Sequence, residues 1–224
     1  FEDNLRWRAV LEDALSNDRI QAYYQPIVDN ATDARNKFEV LVRLINDRGQ
    51  VITPFHFLEV AKKAKLYDHI TRIVLDYAFE VFEDTGYDFA INLSMSDIQD
   101  VATVERIHAK LSENPKTAKH AIFEITESEG VDNFDVVSTF IQNLRKLGGR
   151  IAIDDFGTGY SNFEHLMRLK VDIIKIDGSL IKDIDVDRYS FMLVETVVNF
   201  ANKFGIQTVA EYVDSSQVLQ LVKS

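Results

Sequence analysis

The residues with the most evident chemical potential sit inside or at the ends of short apolar runs. Glu39 lies within Phe38–Val42, with Arg43 next; Asn92 comes near the end of Asp88–Leu93; Glu124 lies within Ala121–Thr126, with Glu127 just beyond. Asp154-Asp155 follows the run begun at Arg150, Lys175 and Asp177 close Val171–Asp177, and Glu211 closes Thr208–Glu211. Singly, each has an ordinary structural explanation: Asn92 as a turn former or helix cap, Asp154-Asp155 as the start of a turn at Gly157, Lys175 and Asp177 as an ion pair on one strand face. Jointly they mean more. Acids brought from several strands to one mouth repel one another and lose hydration unless a cation sits among them. Five carboxylates (Glu39, Glu124, Asp154, Asp155, Glu211) with Asn92 and Lys175 make an oxygen-rich set without histidine. Such a set favours Mg²⁺ or Mn²⁺ over Zn²⁺.

Composition narrows the chemistry further. The chain has 224 residues, 46% hydrophobic and 27% charged, a globular mix. Its formal net charge of −11 makes it a poor non-specific DNA binder, so DNA is not an expected partner. An anionic phosphate ester would need a bridging cation to approach it. Cysteine is absent, which excludes disulfide scaffolds, thiolate zinc sites and thiol nucleophiles. No apolar run approaches the ~18 residues of a membrane span, and no secretory leader opens the chain. The start at Phe1 rather than Met suggests a piece of something longer. The five histidines, His56, His69, His108, His120 and His165, show no ligand spacing and read as surface or packing residues. Trp7, Tyr23 and Tyr24 read first as core.

The elements that must position these groups alternate. Strands are expected at Ile20–Val28, Phe38–Val42, Asp88–Leu93, Ala121–Thr126, Arg150–Asp154, Val171–Asp177 and Thr208–Glu211. Helices are expected around Leu5–Leu15, Pro54–Lys65, Asp68–Phe82, Ser94–Ser112, Phe134–Leu147, Asn162–Leu169, Ser190–Phe204 and Ser215–Lys223. Thr53 with Pro54 marks a helix start, and Gly148-Gly149 and Gly205 mark stops. Short apolar strands separated by helices argue for a parallel sheet covered by helices, with a (β/α)₈ barrel ahead of an open sheet. The count is one strand short of a barrel, and the chain is expected to stop before the last one. The Gly157-Thr158-Gly159 turn could cradle a phosphate through backbone N–H groups, or simply provide flexibility after a strand.

In order along the chain, Tyr24-Gln25-Pro26-Ile27, Glu39-Val40-Leu41 with Arg43, Asn92-Leu93-Ser94, Glu124-Ile125-Thr126-Glu127, Asp154-Asp155-Phe156-Gly157-Thr158-Gly159-Tyr160-Ser161, Lys175-Ile176-Asp177 and Val209-Ala210-Glu211 resemble the motifs of the EAL domain. That family is the cyclic di-GMP phosphodiesterase module of bacterial signalling proteins. The resemblance implies a TIM-like (β/α)₈ barrel over 19–224, its first strand antiparallel and its last strand missing from this chain, behind an N-terminal linker helix over 1–18. It assigns Glu39, Asn92, Glu124 and Asp154 as metal ligands, with Asp155 and Glu211 completing a second metal position or holding its waters. Lys175 would orient the attacking water with Asp177 behind it, which places Lys175, Asp155 and Glu211 in the catalytic set. Gln25, Arg43 and Asp177 would face the substrate. Glu127 would anchor the Asp155–Ser161 loop, which couples the site to a dimer interface. Two Mg²⁺ or Mn²⁺ ions per site, a homodimer, an upstream sensory or cyclase-like domain and a cytoplasmic location are implied with it. The chain departs from the family pattern at Val40, where alanine is usual, at Lys62, where glutamate is frequent, and in that the family's final strand with its Gln-Gly pair is absent from the given residues.

The expected activity is hydrolysis of cyclic di-GMP to linear pGpG. A cyclic di-GMP receptor without turnover is the second reading, and a non-catalytic scaffold, which would not need the acids, is the third.

Overall fold

The computed structural model describes residues 2–158 and 163–224. Gly159, Tyr160 and Ser161 of the expected glycine turn and loop, with Asn162 at the expected start of the next helix, fall outside them. The chain divides into two compact units, Phe1–Ile27 with Asn36–Ala121, and Val28–Arg35 with Ile122–Ser224.

In the first unit, β1 (Ile20–Ile27) pairs antiparallel with β2 (Lys37–Ile45), which carries the two-residue β3 (Val51–Ile52) and pairs in parallel with β4 (Asp88–Asn92). The antiparallel first strand agrees with expectation; β3 is an addition too short to show in the sequence pattern. Side chains alternate across a strand. Val40 and Leu44 are therefore buried on one face of β2, while Glu39 and Arg43 share the other. Helix Tyr67–Val81 contributes Leu75, Ala78 and Phe79 to the core, and Phe82 just beyond it stacks on Phe89 at 5.0 Å. Phe89 is fully buried, which contributes about 2–3 kcal/mol relative to exposure. The expected helix over Pro54–Lys65 divides into a 3₁₀ turn, Pro54–His56, and helix Leu58–Lys63. The first helix, Glu2–Ser16, buries Leu11 and Ala14 completely.

In the second unit, β5 (Ala121–Thr126), β6 (Arg150–Phe156), β7 (Ile173–Ile176) and β8 (Gln207–Ala210) run parallel. β5 is buried on both faces, as a parallel strand covered on each side is. Helices Phe134–Lys146, Phe163–Leu169, Arg188–Phe204 and Ser216–Lys223 separate or follow the strands. Gly205, at φ +67°, closes helix Arg188–Phe204 in the left-handed conformation that glycine adopts freely. The α/β class with a mostly parallel sheet is thus the observed one. Short helices at Pro115–Ala118, Glu127–Asp132 and Gly178–Ile181 were not signalled by periodicity, since one turn offers none. Among the described residues no helix is long and apolar enough to cross a membrane.

Candidate active site

Strand register brings the first-unit residues together. Gln25 stands opposite Glu39, and Gln21 opposite Arg43, across the β1–β2 pair. Glu39 is level with Ala90 on β4, so Asn92, two residues on, shares its face. The Asn92 Nδ2 donates to Glu39 Oε1 at 3.0 Å. Arg43 donates to the Val42 carbonyl at 2.8 Å, and its guanidinium lies 5.7 Å from the centre of the Tyr23 ring. Tyr23 is 45% exposed, against the expectation of a core residue, because it points to this polar face rather than to the helices. Tyr24, next along, is half-buried and packs edge-on against Phe82.

The second unit assembles a denser group. Thr126 is level with Asp154, and Lys175 with Val209. Lys175 Nζ sits 2.8 Å from Glu124 Oε2, 3.1 Å from Asp154 Oδ1 and 3.0 Å from Glu211 Oε1. The Lys175 and Glu124 side chains are each 2% exposed. One ammonium thus holds three carboxylates whose mutual repulsion would otherwise open the group. Lys175 was expected to act on a water; its ion pairs with acids on β5, on β6 and just after β8 are long-range contacts that no local pattern signals.

Asp155 reaches the group through a bulge. Ile153 pairs with Ile174 and Phe156 with Ile176, leaving two residues of β6 opposite Lys175. Asp155 takes φ +54°, a conformation aspartate tolerates better than most residues, and its N–H donates to Asp154 Oδ1 at 3.0 Å. The extra residue returns Phe156 to the buried side. Carboxylate oxygens of Asp154, Asp155 and Glu211 lie within 4.8 Å of one another, close enough to share a cation. All are hard oxygen donors, so the group fits Mg²⁺ or Mn²⁺.

Glu127, only 9% exposed, accepts a hydrogen bond from the Gly157 N–H at 3.1 Å. Asp177 caps helix Gly178–Ile181 by accepting from Ser179 N at 2.8 Å. One of its oxygens is thereby committed to the backbone. Lys62 lies over the Tyr67 ring at 5.3 Å. His120 pairs with Asp88, and His56 stacks on Trp7, in keeping with structural roles. Tyr212, which the motifs did not single out, stands beside Glu211, 69% exposed and at φ +55°.

A family model described as the EAL domain matches residues 8–224. The chain belongs to the EAL domain family. Cyclic di-GMP phosphodiesterase PdeB of Shewanella oneidensis is 29% identical to this EAL domain over 227 residues, covering 98% of the chain and 26% of PdeB. Cyclic di-GMP phosphodiesterase PdeF of Escherichia coli is 30% identical over 229 residues, covering 100% of the chain and 30% of PdeF. The probable cyclic di-GMP phosphodiesterase PdeA of the same species is 34% identical over 209 residues, 91% of the chain and 28% of PdeA. This EAL domain therefore spans under a third of the length of these relatives. The PaMucR phosphodiesterase in its c-di-GMP complex superposes with a TM-score of 0.90 at 28% identity, over 97% of this chain and 90% of that one. The FimX EAL domain of Pseudomonas aeruginosa bound to c-di-GMP superposes with a TM-score of 0.89 at 25% identity, over 97% and 89%. The TIM-like fold of the EAL structures is accordingly the fold of this chain.

Proposed function

We propose that this EAL domain hydrolyses cyclic di-GMP to linear pGpG with Mg²⁺ or Mn²⁺, two ions per site. The observation that carries the reading is the intact acid group around Lys175, in a chain whose relatives are named cyclic di-GMP phosphodiesterases. The residues that would hold the ions are Glu39, Asn92, Glu124, Asp154 and Asp155, with Glu211 completing the acid group beside them. Bound divalent ions would polarise the phosphoryl oxygens and make a nucleophile of water at neutral pH. The chain's own residues then position the reaction. Lys175 Nζ, whose three donors face Glu124, Asp154 and Glu211, would exchange one of those contacts for the attacking water and fix its line of approach, while its charge opposes that building on the phosphoryl oxygens. Arg43 and Gln25 bind the substrate, Asp177 supports Lys175 from behind, and Glu127 steadies the segment after Asp155 through Gly157. A homodimer, an upstream sensory or cyclase-like domain and a cytoplasmic setting belong to the same proposal.

The test is turnover of cyclic di-GMP by the purified domain with each ion, following pGpG. Product with Mg²⁺ or Mn²⁺ and none after chelation is the expected result; no product with either ion overturns the reading. The alternative is a receptor that binds without cleaving, favoured by the likeness to the FimX EAL domain bound to c-di-GMP. Saturable binding with no product in Mg²⁺ or Mn²⁺ would select it.

A further inference from the structure

Tyr212 follows Glu211 directly and holds φ at +55°, in the left-handed region where a bulky side chain is strained. Burial does not compensate for the strain, because the residue is 69% exposed. The neighbouring backbone makes room for it. A Cβ on Gly178 would stand 2.7 Å from Tyr212 Cβ and 3.4 Å from its Cγ, so only glycine at 178 leaves the tyrosine its place. On the other side, Glu211 N donates to the Ile176 carbonyl at 3.2 Å, and Glu211 Oε1 lies 3.0 Å from Lys175 Nζ. A strained and exposed aromatic is therefore held beside the acid group by a backbone shaped to accept it. Strain kept without packing in return is the pattern of a residue retained for what it touches.

We propose that Tyr212 is a base-stacking residue, offering its ring face to a purine of the nucleotide whose phosphodiester is handled at Asp154, Asp155 and Glu211. The proposal rests on the phosphodiesterase reading and adds a residue to it. The carboxylates reach the substrate only through cations and phosphate, and they carry no preference for a nucleobase. A π-face beside them supplies that contact, and tyrosine loses little conformational freedom on ordering, having two side-chain torsions.

The test compares wild type with Tyr212→Phe, Tyr212→Asn and Tyr212→Gly, measuring steady-state turnover of cyclic di-GMP in Mg²⁺ or Mn²⁺ and thermal stability. Phenylalanine keeps the face, and KM should stay within about 2-fold. Asparagine and glycine accept the left-handed backbone but lack the ring, so KM should rise roughly 5- to 150-fold, the range of one lost base stack, with kcat little changed. In the glycine variant Tm should hold or rise by up to about 3 °C as strain is relieved. Unchanged KM in the asparagine and glycine variants overturns the proposal while leaving the phosphodiesterase reading intact. Equal loss in the phenylalanine variant moves the role to the hydroxyl and overturns stacking, and a rise in KM accompanied by a fall in Tm makes Tyr212 a scaffold residue. Wild type that neither binds nor cleaves cyclic di-GMP overturns the phosphodiesterase reading, and this proposal with it.

Discussion

Lys175 concentrates the chemistry of the second unit in one atom. Its Nζ lies within 3.1 Å of three carboxylates while nearly out of contact with solvent. Lys175→Ala should therefore have two separable effects. Without metal, the variant loses the cation that pairs buried Glu124, and unfolding free energy should fall by about 3–5 kcal/mol, read by urea denaturation in chelator. With metal, kcat should drop on the order of 100-fold or more while the Kd for cyclic di-GMP changes little, because the aligned water matters in the transition state. Equal losses in kcat and affinity would reassign Lys175 to substrate binding. Glu39→Ala should abolish turnover by removing a proposed ligand and the acceptor of the Asn92 side chain. Wild-type rates in that variant would take Glu39 out of the ligand set.

At the scale of elements, Gly157, directly after β6, donates its N–H to the buried carboxylate of Glu127. Glu127→Ala should lower turnover without removing a ligand, and unchanged rates together with an unchanged dimerisation constant would refute the anchor. Helix Met95–Gln99 begins with a capping box in which Asp97 accepts from the Ser94 N–H and hydroxyl. Burial raises the Asp97 pKa from 3.8 to about 6, against the pull of the Ser94 hydrogen bonds. The folded protein therefore binds this proton more tightly than the unfolded chain. Stability from this group is fully present below about pH 4 and is lost as pH rises to about 6, a difference of roughly 3 kcal/mol. Asp97→Asn keeps an acceptor without charge; it should be the more stable form at pH 7.5, with the difference shrinking toward pH 4, by denaturant titration at both values. The strands were legible because apolar runs of five or six residues carried their polar exceptions, Glu39 and Glu124, at positions that one face of a strand must share. The bulge at Asp154-Asp155 was not, since Phe156 reads as the start of a loop until its pairing with Ile176 is known. Nor was the role of Lys175 as a common counter-ion, which depends on side chains 21 to 51 positions away in sequence.

For the molecule as a whole, a formal charge of −11 would make cation loading the condition for receiving the anionic dinucleotide of the proposed reaction. Calcium separates the parts of that statement. It accepts the same oxygen ligands but is larger and less strongly polarising, so cyclic di-GMP should bind in Ca²⁺ while pGpG formation falls by about 100-fold or more relative to Mg²⁺. Equal turnover in the two ions would mean that the metals only screen charge. The lysine at the centre of the acid group bears on how the protein survives between such loadings. Structural zinc domains collapse when stripped, because their ligands have nothing else to hold them. Here an internal ammonium already occupies that role, so chelation should silence the enzyme without unfolding it, and restored magnesium should return full activity with no refolding lag. On the proposed function the same ammonium would compete with an arriving ion, lowering metal affinity and keeping the ions exchangeable. A domain so arranged would tolerate being emptied and refilled.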